Sequence, residues 1–222
     1  MSKACCDAWG VQNNRLCLYI QHLLTPEECK TLLDTTGGKH DKEARSVEVG
    51  ERSEFSQVDN ELSSKIYNRI KPYIPLQLDG GECIGLRGEW HHARYFPGQA
   101  VFAHMDQRQT SQEHREDNRV ASRITLNIYL DEGYQGGEFV FVTGPRDDGT
   151  WEHSHTVLQP KAGDAVMFYQ GVPEFSHAVP PLKSGQKTIL RSDVMYRFSS
   201  AEEADVGGLR IQGSPNAVPT MM

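Results

Sequence analysis

The sequence predicts an α+β protein that is mainly β, and three features point there. From about residue 84, short runs of strand-forming residues recur between turn residues. They lie at 88–95, 100–106, 123–130, 138–142, 156–159, 164–169 and 186–197, a spacing that suits a sandwich or barrel. Two segments ahead of them carry helical periodicity. The length, 222 residues, fits one domain with a sizeable core. Within it, 1–83 reads as N-terminal support made of helix and strand, and 84–198 as the core. Residues 199–222, rich in Gly, Pro, Ser and Glu, read as a weakly ordered tail.

In chain order, residues 1–15 read as a lead-in and 16–20 as a first strand. A helix then opens with a clear signal: Thr25 as N-cap, Pro26 at the first helical position and Glu28 completing a capping box. Leu32 and Leu33 should fall on its buried side. Residues 36–56 show no sustained period and read as loop with a short strand, leaving His40 at the surface. A second helix is expected over about 60–71. Leu62, Ile66, Ile70 and Tyr73 recur on one of its faces, and Pro72 and Pro75 end it. Both helices should stabilise the domain by packing on a sheet.

The strand 123–130 is the most informative. Ile124, Leu126, Ile128 and Leu130 form one face, and Arg123, Thr125, Asn127 and Tyr129 the other. Two arrangements satisfy that alternation. An antiparallel sheet can leave its polar face in water, or a double-sheet jelly roll can turn that face into a cavity, which Asn127 and Tyr129 would line. The long polar stretch 107–121 reads as a functional lid or as disorder.

The formal charge of −7, with a pI near 5.7, argues against a broadly basic nucleic-acid surface. No run approaches the 18 apolar residues of a spanning helix, and the first residues lack the apolar block of a signal peptide. Five cysteines without a C-x-x-C pair suit reduced thiols in a cytoplasmic protein, with a nuclear location also compatible. Adjacent Cys5 and Cys6 are the candidates for reactive thiols. No feature speaks to oligomeric state.

The chemistry concentrates at Tyr95-Phe96-Pro97-Gly98-Gln99-Ala100-Val101-Phe102-Ala103-His104-Met105-Asp106. On a strand, His104 and Asp106 share a face. An imidazole beside a carboxylate supplies two ligands of a 2-His-1-carboxylate triad, which binds Fe(II) with positions left open. Several histidines compete for the third place. His91 and His92 are adjacent and so face opposite ways. His153 and His155 form an H-x-H pair in a turn-rich segment, and His114 lies in the polar insertion. His177, just after the strand 164–169, has the best context. Further on, Lys187 and Arg191 are four residues apart on one strand face, roughly 13 Å from each other. Either cation suits a ligand carboxylate.

The ordered set is then Tyr95-x-Pro97-Gly98-Gln99, His104-x-Asp106, Tyr129-Leu130-Asp131, Gly136-Gly137-Glu138, Pro160-x-x-Gly163-Asp164, His177 and Gly185-x-Lys187. It resembles the Fe(II)/2-oxoglutarate dioxygenases, and most closely their prolyl 4-hydroxylase-like branch. The likeness spans about residues 58–198. It implies a double-stranded β-helix core, of jelly-roll and cupin-like form, and a ligand set of His104, Asp106 and His177. Lys187 matches the basic residue that pairs with the distal carboxylate of 2-oxoglutarate, Arg191 matches the later arginine of other branches, and Lys187 is preferred. Tyr129 resembles the tyrosine that hydrogen-bonds the same carboxylate. Tyr95 is either a pocket-lining tyrosine or a core aromatic.

The implied activity is oxidative decarboxylation of 2-oxoglutarate coupled to C–H hydroxylation, with Fe(II), O2 and ascorbate as the accompanying cofactors. The first-choice substrate is a prolyl residue in a protein or peptide; a free amino acid or small metabolite is the alternative. Asp106 disfavours halogenation, since the related halogenases carry a small residue there. A cupin-like module that binds metal and ligand without turnover is the reading from a different class, because fold alone does not set function.

Overall fold

The computed structural model describes residues 3–5, 16–39, 52–110, 114, 116–145 and 151–205. The chain begins with strands β1 (Lys3–Cys5) and β2 (Cys17–Ile20), so the expected lead-in already contains a strand paired to the first one. Helix α1 (Pro26–Thr36) follows, then β3 (Ser53–Val58), α2 (Asn60–Ile70), β4 (Gln77–Leu78), β5 (Gly81–Leu86), β6 (Glu89–Tyr95) and β7 (Val101–His104). The second half carries β8 (Val120–Tyr129), β9 (Gln135–Gly136), β10 (Phe139–Pro145), β11 (Trp151–Leu158) and β12 (Ala165–Tyr169). It ends with β13 (His177–Val179), β14 (Leu182–Ser184), β15 (Lys187–Arg197) and α3 (Ala201–Asp205).

Helix α1 starts as its sequence dictates. The Thr25 hydroxyl accepts from the Glu28 amide, and the Glu28 carboxylate accepts from the Thr25 amide, at 3.2 and 2.9 Å. Glu28 also takes both terminal nitrogens of Arg69 on α2, at 2.8 and 2.7 Å, which ties the two helices together. Cys29 and Thr36 are the fully buried residues of α1; Leu32 and Leu33 are half-buried against the core. Asp59 caps α2, and Ile66 and Ile70 lie wholly inside the same apolar cluster as Ile124, Leu126 and Ile128 of β8. Each such side chain contributes roughly 1.5–3 kcal/mol.

The strands form a nine-stranded sheet with the order β1-β2-β12-β8-β15-β5-β4, to which β6 and β3 are joined through β15. A four-stranded sheet, β11-β10-β13-β7, lies opposite it, and β9 and β14 form a small ribbon. Aromatic rings join the layers: Phe139 and Phe141 on β10 meet Phe168 on β12 at 5.7 and 5.8 Å between centroids. The result is the expected double-stranded β-helix. All ten residues of β8 are buried, so its polar face does not meet water. The solvated-sheet arrangement is thereby excluded, because a second sheet covers that face.

Three boundaries differ from the sequence reading. The division at residue 83 falls inside β5, and β2 to β5 are built into the large sheet rather than supporting it from outside. The stretch 107–121 is shorter than expected, since Val120 and Ala121 already belong to β8, and Gln109 exchanges backbone and hydroxyl hydrogen bonds with Ser122. Residues 111–113 and 115 lie outside the described set. The tail opens with α3, whose final carbonyls accept from the wholly buried Arg123: Ala204 at 2.8 Å and Glu203 at 3.2 Å. A cation at a helix C-terminus satisfies carbonyls that the helix itself leaves open. Residues 206–222 lie outside the described set, as do Cys6 and His40. Cys29 and Cys83 are free thiols.

The turn before β12 is pressed against the entry to α1. Gly163 has φ +86°, its carbonyl accepts from the Leu24 amide, and a Cβ there would lie 2.3 Å from the Leu24 carbonyl oxygen. Left-handed backbone costs an L-residue roughly 1–2 kcal/mol before any clash. Gly163→Ala should therefore lose more than about 2 kcal/mol of stability. Urea denaturation checks this, and a midpoint unchanged from the parent chain would refute the close approach.

Candidate active site

Antiparallel pairing of β7 with β13 sets His104 directly across from His177, with ring centroids 4.4 Å apart. Two residues past His104, Asp106 returns to the same place. The ligand-type atoms of these three side chains lie within 4.8 Å of one another, the one such group of three or more among the described residues. The Nδ1 of His104 lies 2.9 Å from the Phe102 carbonyl, and that of His177 lies 3.0 Å from the Phe175 carbonyl. A carbonyl can only accept, so each Nδ1 carries a proton, and in the neutral ring that leaves Nε2 its lone pair. The Nε2 atoms face Asp106, at 3.5 Å for His104 and 4.0 Å for His177. Two neutral imidazole nitrogens and one carboxylate converging in this way suit a divalent first-row metal.

Electrostatics favours the ligand forms. Burial pushes His177 down to about 4 against the opposing charge of Asp106, so the ring is neutral at ordinary pH. Burial alone would raise Asp106. The contact with His104, the charge of Arg191, the neighbouring His177 and the Thr125 hydroxyl outweigh it and hold the carboxyl well below the usual range. Phe139 stacks on the His177 ring at 4.8 Å and closes that side to water.

Lys187 sits across the cleft on β15, in register with Tyr95 of β6. Its ammonium is almost wholly buried. It donates to the Gly137 carbonyl at 2.6 Å and lies 5.1 and 5.4 Å from the ring centroids of Tyr95 and Tyr129. Gly137, at φ +64°, is the turn that delivers this carbonyl. Burial first, and then the charge of Arg52, bring Lys187 down to about 7; Asp131 and Glu138 pull the other way. A buried cation held by one carbonyl and two ring faces is a socket for a carboxylate.

Arg191, four residues on, also lines the cleft but reaches a different place. Its guanidinium lies 3.1 Å from Asp106 Oδ1 and 3.7 Å from Asp193. Both candidate cations thus share one cavity, with Lys187 at the far wall and Arg191 beside the Asp106 carboxylate. Tyr129 and Tyr95 are buried walls of the same cavity, and burial keeps both phenols protonated, Tyr95 at about 12. Asn127 joins them, and its buried Oδ1 has no hydrogen-bond partner among the described residues.

Two of the competing histidines, on β6, go elsewhere. His91 is exposed on β6, while His92 is buried and stacked on Phe55 with centroids 4.5 Å apart. His114 lies outside the three-residue group. His153 and His155 are on β11, where side chains are not described. Sequence reasoning overlooked Thr125, which donates to Asp106 Oδ2 at 2.8 Å, together with Phe139 and Arg52. Thr125 was within reach, since it alternates with Asn127 and Tyr129. Arg52 sits in a charged stretch with no period, where no signal distinguishes it.

Residues 90–199 match the 2OG-Fe(II) oxygenase superfamily. The chain belongs to that superfamily through these residues. Its Fe(II), 2-oxoglutarate and O2 are the family's cofactors, and the donor set described above fits the metal. The fold is similar to that of the viral collagen prolyl hydroxylase vCPH from Paramecium Bursaria Chlorella virus-1. That likeness has a TM-score of 0.56 at 22% identity and covers 86% of this chain and 100% of that one. A prolyl hydroxylase from Trichoplax adhaerens, in complex with a hypoxia inducible factor peptide fragment, gives 0.56 at 15% identity over 90% of each chain. The carbocyclase SnoK of nogalamycin biosynthesis gives 0.57 at 14% identity over 87% of each. No curated protein matches the chain. Among the described residues, no helix is long and apolar enough to cross a membrane.

The depressed Lys187 carries a pH signature. In the unfolded chain it titrates near the ordinary lysine value, and in the fold at about 7. Between those values the unfolded state binds the extra proton, so this residue's contribution to stability rises with pH through that window. Lys187→Met should therefore be more stable than the parent at pH 6 when no ligand is present. The gap should narrow by about 1.4 kcal/mol per unit above pH 7. Urea melts of the ligand-free protein from pH 6 to 9 test this; parallel curves would mean the lysine is not desolvated.

Proposed function

We propose that this oxygenase is a hydroxylase acting on a prolyl residue of a protein or peptide. His104, Asp106 and His177 hold the iron, and Lys187 pairs with the distal carboxylate of 2-oxoglutarate. The observation that carries the reading is the convergence of the three donors within 4.8 Å, with a buried ammonium facing them across one cleft. When bound, Fe(II) with 2-oxoglutarate and O2 supplies an oxidation in which decarboxylation to succinate is coupled to insertion of one oxygen atom into a substrate C–H bond.

The chain's own residues do the rest. The Phe102 and Phe175 carbonyls fix the imidazole tautomers. Lys187, backed by Gly137, gives the cosubstrate its charge partner, with the Tyr129 hydroxyl as a neutral donor and Asn127 as a wall. Phe139 and the Tyr95 ring exclude water. Arg191 is engaged by Asp106 and Asp193, which supports Lys187 over Arg191 as the anchor. The prolyl part rests on likeness of fold to two prolyl hydroxylases. A carboxylate-bearing small molecule is the second reading, favoured by Arg52 and Arg191 lining the same cleft.

Succinate release with Fe(II), 2-oxoglutarate and ascorbate, measured with proline-containing peptides and with small carboxylic acids, separates these readings. His104→Ala and His177→Ala should abolish iron-dependent turnover with the fold retained; activity left intact in either would sink the ligand set. Lys187→Ala should raise the KM for 2-oxoglutarate by about 10–100-fold, from loss of a charge-assisted pair worth ~1.5–3 kcal/mol. Arg191→Ala should raise it less. The reverse order would move the anchor to Arg191.

A further inference from the structure

Asp106 is held by more than its two histidine neighbours. The Thr125 hydroxyl donates to Oδ2 at 2.8 Å, and the same hydroxyl accepts from Gln170 Nε2 at 2.9 Å. That amide nitrogen also donates to Asp193 Oδ1 at 2.7 Å. Asp193 Oδ1 in turn lies 3.7 Å from Arg191, whose other nitrogen is 3.1 Å from Asp106 Oδ1. The five side chains form a closed ring that begins and ends on the two oxygens of one carboxylate.

The ring allows a single pattern of protons. Thr125 spends its hydrogen on Asp106, so its oxygen needs a donor. Asp193 accepts at the Oδ1 that Gln170 faces, so it too needs a donor there. Gln170 meets both needs with one NH2 group, and its carbonyl oxygen accepts from the Ser122 hydroxyl at 2.5 Å. A flipped amide would set a carbonyl against a carboxylate and leave three groups unmatched. Ser122 and Thr125 are wholly buried, and Gln170, Asp193 and Asp106 are 1, 2 and 5% exposed, so water does not substitute for Thr125 or Gln170. Arg87 anchors the far side of Asp193 at 3.2 Å.

We propose that Thr125 and Gln170 are positioning residues for the metal-ligating carboxylate. They occupy Oδ2, so that Oδ1, on the His104 side and shared with Arg191, is the oxygen presented to the metal. The proposal rests on the ligand set of the preceding section. It adds that the large sheet, through β8 and the segment after β12, sets the orientation of a ligand carried by the small sheet.

Co(II) titration of the chain without 2-oxoglutarate, followed by visible absorption, tests it; anaerobic Fe(II) competition gives the iron affinity. Thr125→Val should weaken metal affinity by about 10–100-fold and alter the Co(II) spectrum, while Thr125→Ser should return both to within roughly threefold of the parent. Gln170→Leu leaves Thr125 in place and should shift both readouts less, in the same direction. It also carries the test should Thr125→Val fail to fold by circular dichroism. Folded variants with parental affinity and spectrum would overturn the positioning role alone. A parent chain that takes up no Co(II) would overturn the ligand set itself.

Discussion

The register between β7 and β13 is the constraint on which the site depends. It places His104 opposite His177 on adjacent strands, so the rings meet without help from any flexible segment. A slip of one residue would turn one imidazole to the other face of the sheet. Asp106 lies beyond the end of β7 and lacks that protection. It is held instead by its backbone carbonyl, which accepts from Gly171, and by contacts reaching across from the large sheet. Two of the three converging donors are thus set by pairing within one sheet and the third by a bridge between two.

The large sheet contributes mainly through β15. Its first half pairs with β6 and β8 and carries Lys187 and Arg191 into the cleft; its second half pairs with β5 and is buried in the core. One strand therefore brings together the basic wall of the cavity, the Asp193 member of the polar ring and part of the apolar core. The cost of burying these charges is offset locally, by the Gly137 carbonyl and two rings for Lys187 and by two carboxylates for Arg191. The small residues of the Gly136-Gly137 turn matter for the same reason, since they let backbone approach a buried ammonium.

Much of this was readable before any coordinates. The alternation in 123–130 and the His-x-Asp spacing depend only on strand geometry, which is local, and the capping box of α1 depends on three neighbouring residues. The ordered motifs pointed to His177 and Lys187 among many candidates. What escaped notice depends on contacts distant in sequence. Thr125 reaches Asp106 across 19 positions, and Gln170 reaches Asp193 across 23. No periodicity encodes such pairs. The two readings of β8 differed only in whether another layer lay above its polar face, and a single strand cannot say what covers it. The helix at 201–205 was missed because its cap, Arg123, lies some 80 residues earlier.

The rise of β15 has a further consequence. Lys187 and Arg191 stand four residues apart on one extended backbone, so the span between the two cations is set by rise per residue. One is fixed against the Gly137 carbonyl and the other against Asp106. Insertions and substitutions in the segments around the mouth leave that spacing untouched. In this architecture the rim of the cleft can change through evolution while the charges along its wall keep their places.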